Sequence, residues 1–159
     1  MRLPRKYHVY ARTVLVAVFA LAFGATTRAA SVNFLYHQTT GTQCSNCIPN
    51  TPIDGLSFTL PATSETFNAA LVTLNIPNLT LSAGGSGGVS VLSQIDGGIF
   101  AGAVINNTAM PLTIVVKVPL IQRTLPIAAE WSTNTGATIS TGFASISAIL
   151  VYDEGQTGQ

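Results

Sequence analysis

Apolar residues recur along this chain with a period of two. Leu112, Ile114, Val116, Val118 and Leu120 alternate with Thr113, Val115 and Lys117. Ala144, Ile146, Ala148, Leu150 and Tyr152 share one face of the run that follows Phe143. Val89, Val91, Ser93 and Ile95 make another such face, and Ile99, Ala101, Ala103 and Ile105 a further one. Phe67–Ile76 is rich in strand-forming residues and ends at Pro77. Successive side chains of a strand point to opposite sides, so these runs predict half-buried strands. Gly, Asn, Asp and Pro clusters punctuate them at 75–78, 83–88, 96–98, 106–107 and 134–136. Asp96-Gly97 between two alternating runs reads as a hairpin, and Gly84–Gly88 reads as a flexible loop. After the first thirty residues no segment carries helical amphipathicity. The expectation is an all-β jelly-roll sandwich of about 8–10 short antiparallel strands.

The first half is less regular. Val32–His37 predicts one strand and Leu56–Leu60 a second, separated by a Thr-, Asn- and Pro-rich stretch holding both cysteines. Whether residues 31–64 join the sheets or form an arm stays open at this level. The organisation expected is a leader over 1–29, a strand and Cys-containing loop over 30–64, the main jelly roll over 65–153, and a tail over 154–159.

The leader changes the charge picture. Arg2, Arg5, Lys6 and Arg12 precede an apolar run from Thr13 to Ala25. That run is shorter than the roughly 20 residues a bilayer-spanning helix needs. It has the length of a signal-peptide core, and Thr27-Arg28-Ala29 supplies cleavage residues, so cleavage is expected after Ala29. An uncleaved anchor is the competing reading. Secretion, or export to a periplasm or cell surface, is the implied location, with no membrane attachment after cleavage. Beyond Ala29 only Lys117 and Arg123 stand against Asp54, Glu65, Asp96, Glu130, Asp153 and Glu154, a net charge of −4. No basic patch is left, which argues against nucleic acid as a partner. A folded chain with so few charges fits one that hides surface in an assembly.

Residues 113–150 bring a resemblance into view. An apolar strand leads into AAEWSTNTGATI (128–139), which holds Trp131 and a Thr- and Gly-rich loop. GFASISAIL (142–150) closes the stretch with small residues. This resembles the jelly-roll superfamily of tumour necrosis factor and the complement globular heads. AALVTLNIP (69–77) and the Asp96-Gly97 turn are similar to earlier strands of that fold. Arg123-Thr124-Leu125 departs from it, standing where a Gly-His-Thr type of sequence is frequent. The resemblance implies a compact homotrimer with a role in recognition or architecture.

Chemical candidates are few. Cys44-Ser45-Asn46-Cys47 is the sharpest. In an oxidising compartment it reads as a structural disulfide. A bridge between chains, a metal site shared by copies, and a redox site remain alternatives, the last weakened by Pro49 and Pro52, which break any following helix. His37 is the one histidine beyond the leader, and a catalytic triad would require it; a polar strand residue is the plainer reading. Glu130 beside Trp131 suits sugar binding, against a core tryptophan with a solvent-facing acid. Asp96 is a further candidate ligand contact in a loop. Asn78-Leu79-Thr80 and Asn106-Asn107-Thr108 match the glycosylation sequon.

These features lead to a secreted, non-enzymatic binding or structural protein without a cofactor, self-associating as a homotrimer, with a glycan or protein as ligand. The alternative is a carbohydrate-binding module presenting Trp131, Tyr36 and the phenylalanines as an exposed platform.

Overall fold

The alternating runs become strands in the computed structural model, which describes residues 34–156 apart from 50 and 107. Eight strands follow one another: β1 (Phe34–Ser45), β2 (Thr51–Leu60), β3 (Ala69–Leu81), β4 (Gly87–Ser93), β5 (Ile99–Ile105), β6 (Ala109–Pro119), β7 (Leu125–Thr133) and β8 (Thr138–Val151). A short 3-10 turn at Glu154–Gln156 comes after them. The expected signal peptide over 1–29 lies outside the described residues.

The pairing is nested. β4 pairs with β5, β3 with β6, β2 with β7 and β1 with β8, all antiparallel. The chain is thus one long hairpin rolled up on itself. Two further pairings, β3 with β8 and β4 with β7, close the sheets. Sheet A has the order β1-β8-β3-β6 and sheet B the order β2-β7-β4-β5. Every connection except the β4–β5 hairpin crosses from one sheet to the other. That wrap defines a jelly-roll sandwich, as the alternating pattern predicted.

The core is the space between the sheets. From sheet A come Val72, Leu74 and Ile76, with Ala144, Ile146 and Ala148 beside them, all without solvent contact. From sheet B come Val89, Val91, Ile127, Ala129 and Trp131. Burial at roughly 25 cal/mol per Å² of apolar surface holds the layers together.

Residues 34–60 belong to the sandwich. β1 forms the edge of sheet A and β2 the edge of sheet B, so the cysteine-bearing stretch is built into the fold and is no arm. Both strands are longer than the expected Val32–His37 and Leu56–Leu60. Bulges hid them. In β2 the buried residues Ile53 and Leu56 are three apart, and the register shifts between Pro52 and Ser57. Gly55 takes up the extra residue with φ 78°, a conformation that disfavours a side chain.

The same device corrects the end of β3, which does not stop at Pro77. The strand runs on to Leu81, with a register shift between Ile76 and Leu79, both buried. Proline has no N–H to give a ladder, so in an interior strand it is confined to such a bulge. Two predicted faces reach too far. β4 ends at Ser93 and β8 at Val151, leaving Ile95 and Tyr152 exposed. The 84–88 loop is likewise shorter than expected, because Gly87 and Gly88 already pair in β4.

Candidate functional site

β1 and β2 lie at matching edges of the two sheets, and a cleft opens between them. It has a volume of about 450 Å³ and is lined by Gly41, Thr42, Gln43 and Cys44 of β1, Thr51, Pro52 and Asp54 of β2, and Trp131 of β7. Local sequence explains why β1 turns these groups inward. In its first part Leu35 and Thr39 are the half-buried positions; beyond Gly41 they are Thr42 and Cys44. Gly41 has φ 64°, and there the alternation slips by one. Gly142 stands at the matching place on β8, between the pairs Thr40–Phe143 and Thr42–Thr141, so the ladder resumes in register.

The turn that closes the cleft is stapled twice. Cys44 and Cys47 are bonded to each other within the chain, which matches the structural-disulfide reading. Hydrogen bonds then tie this turn to the β7–β8 connection. The Asn46 N–H donates to Ala137 O at 3.0 Å, and the Thr133 N–H to Cys47 O at 3.1 Å. The Cys47 N–H donates to Thr133 Oγ1 at 2.9 Å, and the Gly136 N–H to Asn46 Oδ1 at 2.5 Å. Asn46 adopts φ 54° between the two cysteines, a conformation asparagine tolerates better than most residues. One wall of the cleft is therefore rigid.

Its chemistry is polar and carries no cation. Thr42 and Thr51 bring hydroxyls, Gln43 an amide and Asp54 a carboxylate. Thr42 Oγ1 is sealed from solvent and has no hydrogen-bond partner. Thr51 Oγ1 donates to Ile48 O at 2.8 Å, which leaves its lone pairs to accept. Among the described residues no three His, Cys, Asp or Glu side chains gather into a metal-binding group.

The site residues predicted from sequence do not converge. Trp131 is 4% exposed and belongs to the core, at the base of the cleft; it is no exposed platform. Glu130, its neighbour in β7, points to the outer face of sheet B, between Pro52 and Ser90. It is 6% exposed and its Oε2 has no partner; burial raises its pKa above the ordinary carboxylate value. This is not the solvent-facing acid that alternation suggests. Asp96 lies in the β4–β5 turn, next to Ser93, which pairs with Ile127 four residues before Trp131. A hydrogen bond from the Ser93 side chain, and then the Gly98 N–H, lowers its pKa; it shapes the turn. His37 lies 5.9 Å from the Phe58 ring, centroid to centroid. Asn78 and Asn106 are both exposed, in the β3 bulge and just after β5. Thr42, Thr51 and Asp54 carry no motif, which is why the sequence gives no notice of the cleft.

Sheet A presents a second feature. Its four strands hold one formal charge, Lys117, which is 2.6 Å from the Asp153 carboxylate; that contact lowers the Asp153 pKa. The outer face carries Tyr36, Leu71, Val115 and Ile149, each 38% exposed or more. Register places Leu71 beside Ile149, and Val115 opposite Thr73.

The fold and this pair of features define a jelly-roll sandwich with an edge cleft and one sheet face that carries a single charge, Lys117. No family model matches the chain, and no curated protein matches it. Solved structures give distant likenesses. The C-terminal domain of EclA, described as a sugar-binding protein, aligns at 13% identity with a TM-score of 0.42, over 67% of this chain and 78% of that one. The VP2 subviral particle of infectious bursal disease virus aligns at 11% identity and 0.41, over 77% of this chain and 33% of that one. The C-terminal CBM6 of LamC from Zobellia galactanivorans aligns at 12% identity and 0.35, over 72% of this chain and 98% of that one. Likeness at this level says nothing of what the present chain binds.

Proposed function

We propose that this is a secreted, non-enzymatic binding or structural protein that assembles with copies of itself through the outer face of sheet A. The observation that carries the reading is the exposed Tyr36, Leu71, Val115 and Ile149 on that face, whose one charge, Lys117, is paired with Asp153. Strands of eleven to fourteen residues stand four abreast there. At about 4.8 Å between strands and about 3.3 Å per residue, the face measures roughly 750 Å². Each partner of a stable interface buries about 800 Å². The occupant that suits it is another surface of a further copy, a head-to-tail contact that closes a ring of three, and the face's one charge, Lys117, keeps its partner Asp153. The number three comes from the resemblance of residues 113–150 to trimeric jelly rolls.

Light scattering after size exclusion, with and without reductant, tests this. Three times the chain mass in both conditions is the expected result, because Cys44 and Cys47 are joined within the chain. A monomer in both conditions would sink the self-association reading.

A further inference from the structure

We infer that the cleft between β1 and β2 binds a neutral, hydroxyl-rich ligand of the saccharide class. The inference does not rest on self-association, since Thr42, Asp54 and Trp131 all belong to one chain.

Four observations converge. The volume of about 450 Å³ falls in the range of small-molecule sites, about 300–1,000 Å³. The lining offers the Thr51 hydroxyl, the Gln43 amide and the Asp54 carboxylate, all able to accept hydrogen bonds. It has no lysine or arginine, so a phosphate, sulfate or carboxylate ligand would meet only Asp54, a like charge. A carboxylate accepts two hydrogen bonds side by side, a match for neighbouring hydroxyls on a sugar ring. Buried polar groups are nearly always hydrogen-bonded, and Thr42 Oγ1 is an exception on the cleft wall. Because that oxygen is sealed from solvent, a ligand hydroxyl would satisfy it only after rotation about the Thr42 Cα–Cβ bond.

Rigidity adds to this. The disulfide and the four hydrogen bonds from the Cys44–Cys47 turn to the β7–β8 connection fix the wall before any ligand arrives. A preformed site loses less freedom on binding. Trp131 at the base keeps the inner end apolar, which strengthens hydrogen bonds made above it.

The test uses the full chain and four probes: tetrasaccharides of β-1,3-glucose, β-1,4-glucose, α-mannose and β-1,4-N-acetylglucosamine. Each is titrated to about 10 mM, enough to see a millimolar Kd. Amide resonances of Thr42, Thr51 and Asp54, and emission of Trp131, the one tryptophan, are followed together. Saturable shifts with at least one probe are expected. Thr42→Val and Asp54→Asn should each weaken that binding about tenfold. Asp54 is exposed, so its variant keeps the fold, as circular dichroism will verify. Unmoved Thr42, Thr51 and Asp54 resonances with all four probes would overturn the inference, as would wild-type affinity in both variants. Mass measured on the same samples keeps this outcome separate from that of self-association.

Discussion

Leu71 sits on a central strand of sheet A with its side chain outward, and replacing it by glutamate puts a carboxylate in the middle of a face whose one charge is Lys117. Leu71 and Ile149 are each 38% exposed and Val115 is 57% exposed. Fully burying one such side chain contributes about 1.5–3 kcal/mol. The three together present about as much surface as one and a third fully exposed side chains, or about 2–4 kcal/mol per face. Leu71→Glu removes about a third of that and sets a carboxylate opposite Lys117, whose ammonium Asp153 already holds. Stripping water from an unpaired ion costs several kcal/mol. The combined loss exceeds about 3 kcal/mol, more than a hundredfold in each contact. The assay is light scattering over a dilution series, with Gln122→Glu as control. Gln122 is an exposed loop residue, so its variant adds the same charge away from the face. Leu71→Glu should run as a monomer while Gln122→Glu keeps the wild-type mass. An unchanged mass for Leu71→Glu would refute the assignment of the face, and equal dissociation of both would show that net charge is responsible.

Glu130 makes stability depend on pH, and the sign follows from burial. Its folded pKa is raised, so the folded state holds the proton more tightly than the unfolded one. Stability is then greatest below the unfolded value of about 4.3 and declines as pH rises through the folded value. Glu130→Gln should flatten that decline in denaturant titrations between about pH 4 and 8; an identical slope would show that another group is responsible. The disulfide closes a loop of only four residues, so Cys44→Ala with Cys47→Ala should cost about 2 kcal/mol by loop entropy without changing the mass. A halved or smaller mass would mean that the cysteines also join chains. Gly55→Ala should cost about 1–2 kcal/mol because of the left-handed backbone at the β2 bulge. A neutral effect in thermal melts would show that the bulge rearranges freely.

Much of the fold was legible because a strand writes its burial into the sequence with period two. β6 is the clearest case: Leu112, Ile114 and Val118 are buried, and Thr113, Val115 and Lys117 are exposed, as alternation requires. The β4–β5 hairpin was equally plain, since Asp96-Gly97 supplies the turn and Gly97 takes φ 69°. Where the period breaks, the local reading failed. Ile53 and Leu56, and again Ile76 and Leu79, are three apart, and only pairing with β7 and β6 turns those gaps into bulges within continuous strands.

The candidate sites divide in the same way. The sequence by itself determined which residues alternate, how little charge there is beyond Ala29, and that two cysteines stand within reach of each other. It did not determine what faces what across the sandwich. Trp131 and Glu130 are adjacent in sequence and therefore lie on opposite faces of one strand. Thr42 and Asp54 are twelve residues apart, and share a cleft because β1 and β2 are edges of different sheets. Strand order is set by non-local hydrogen bonding and by closure of the core, which no window of sequence contains. Only the tertiary structure decided that the cysteine turn is tied to the β7–β8 connection, and that the cleft beside it exists.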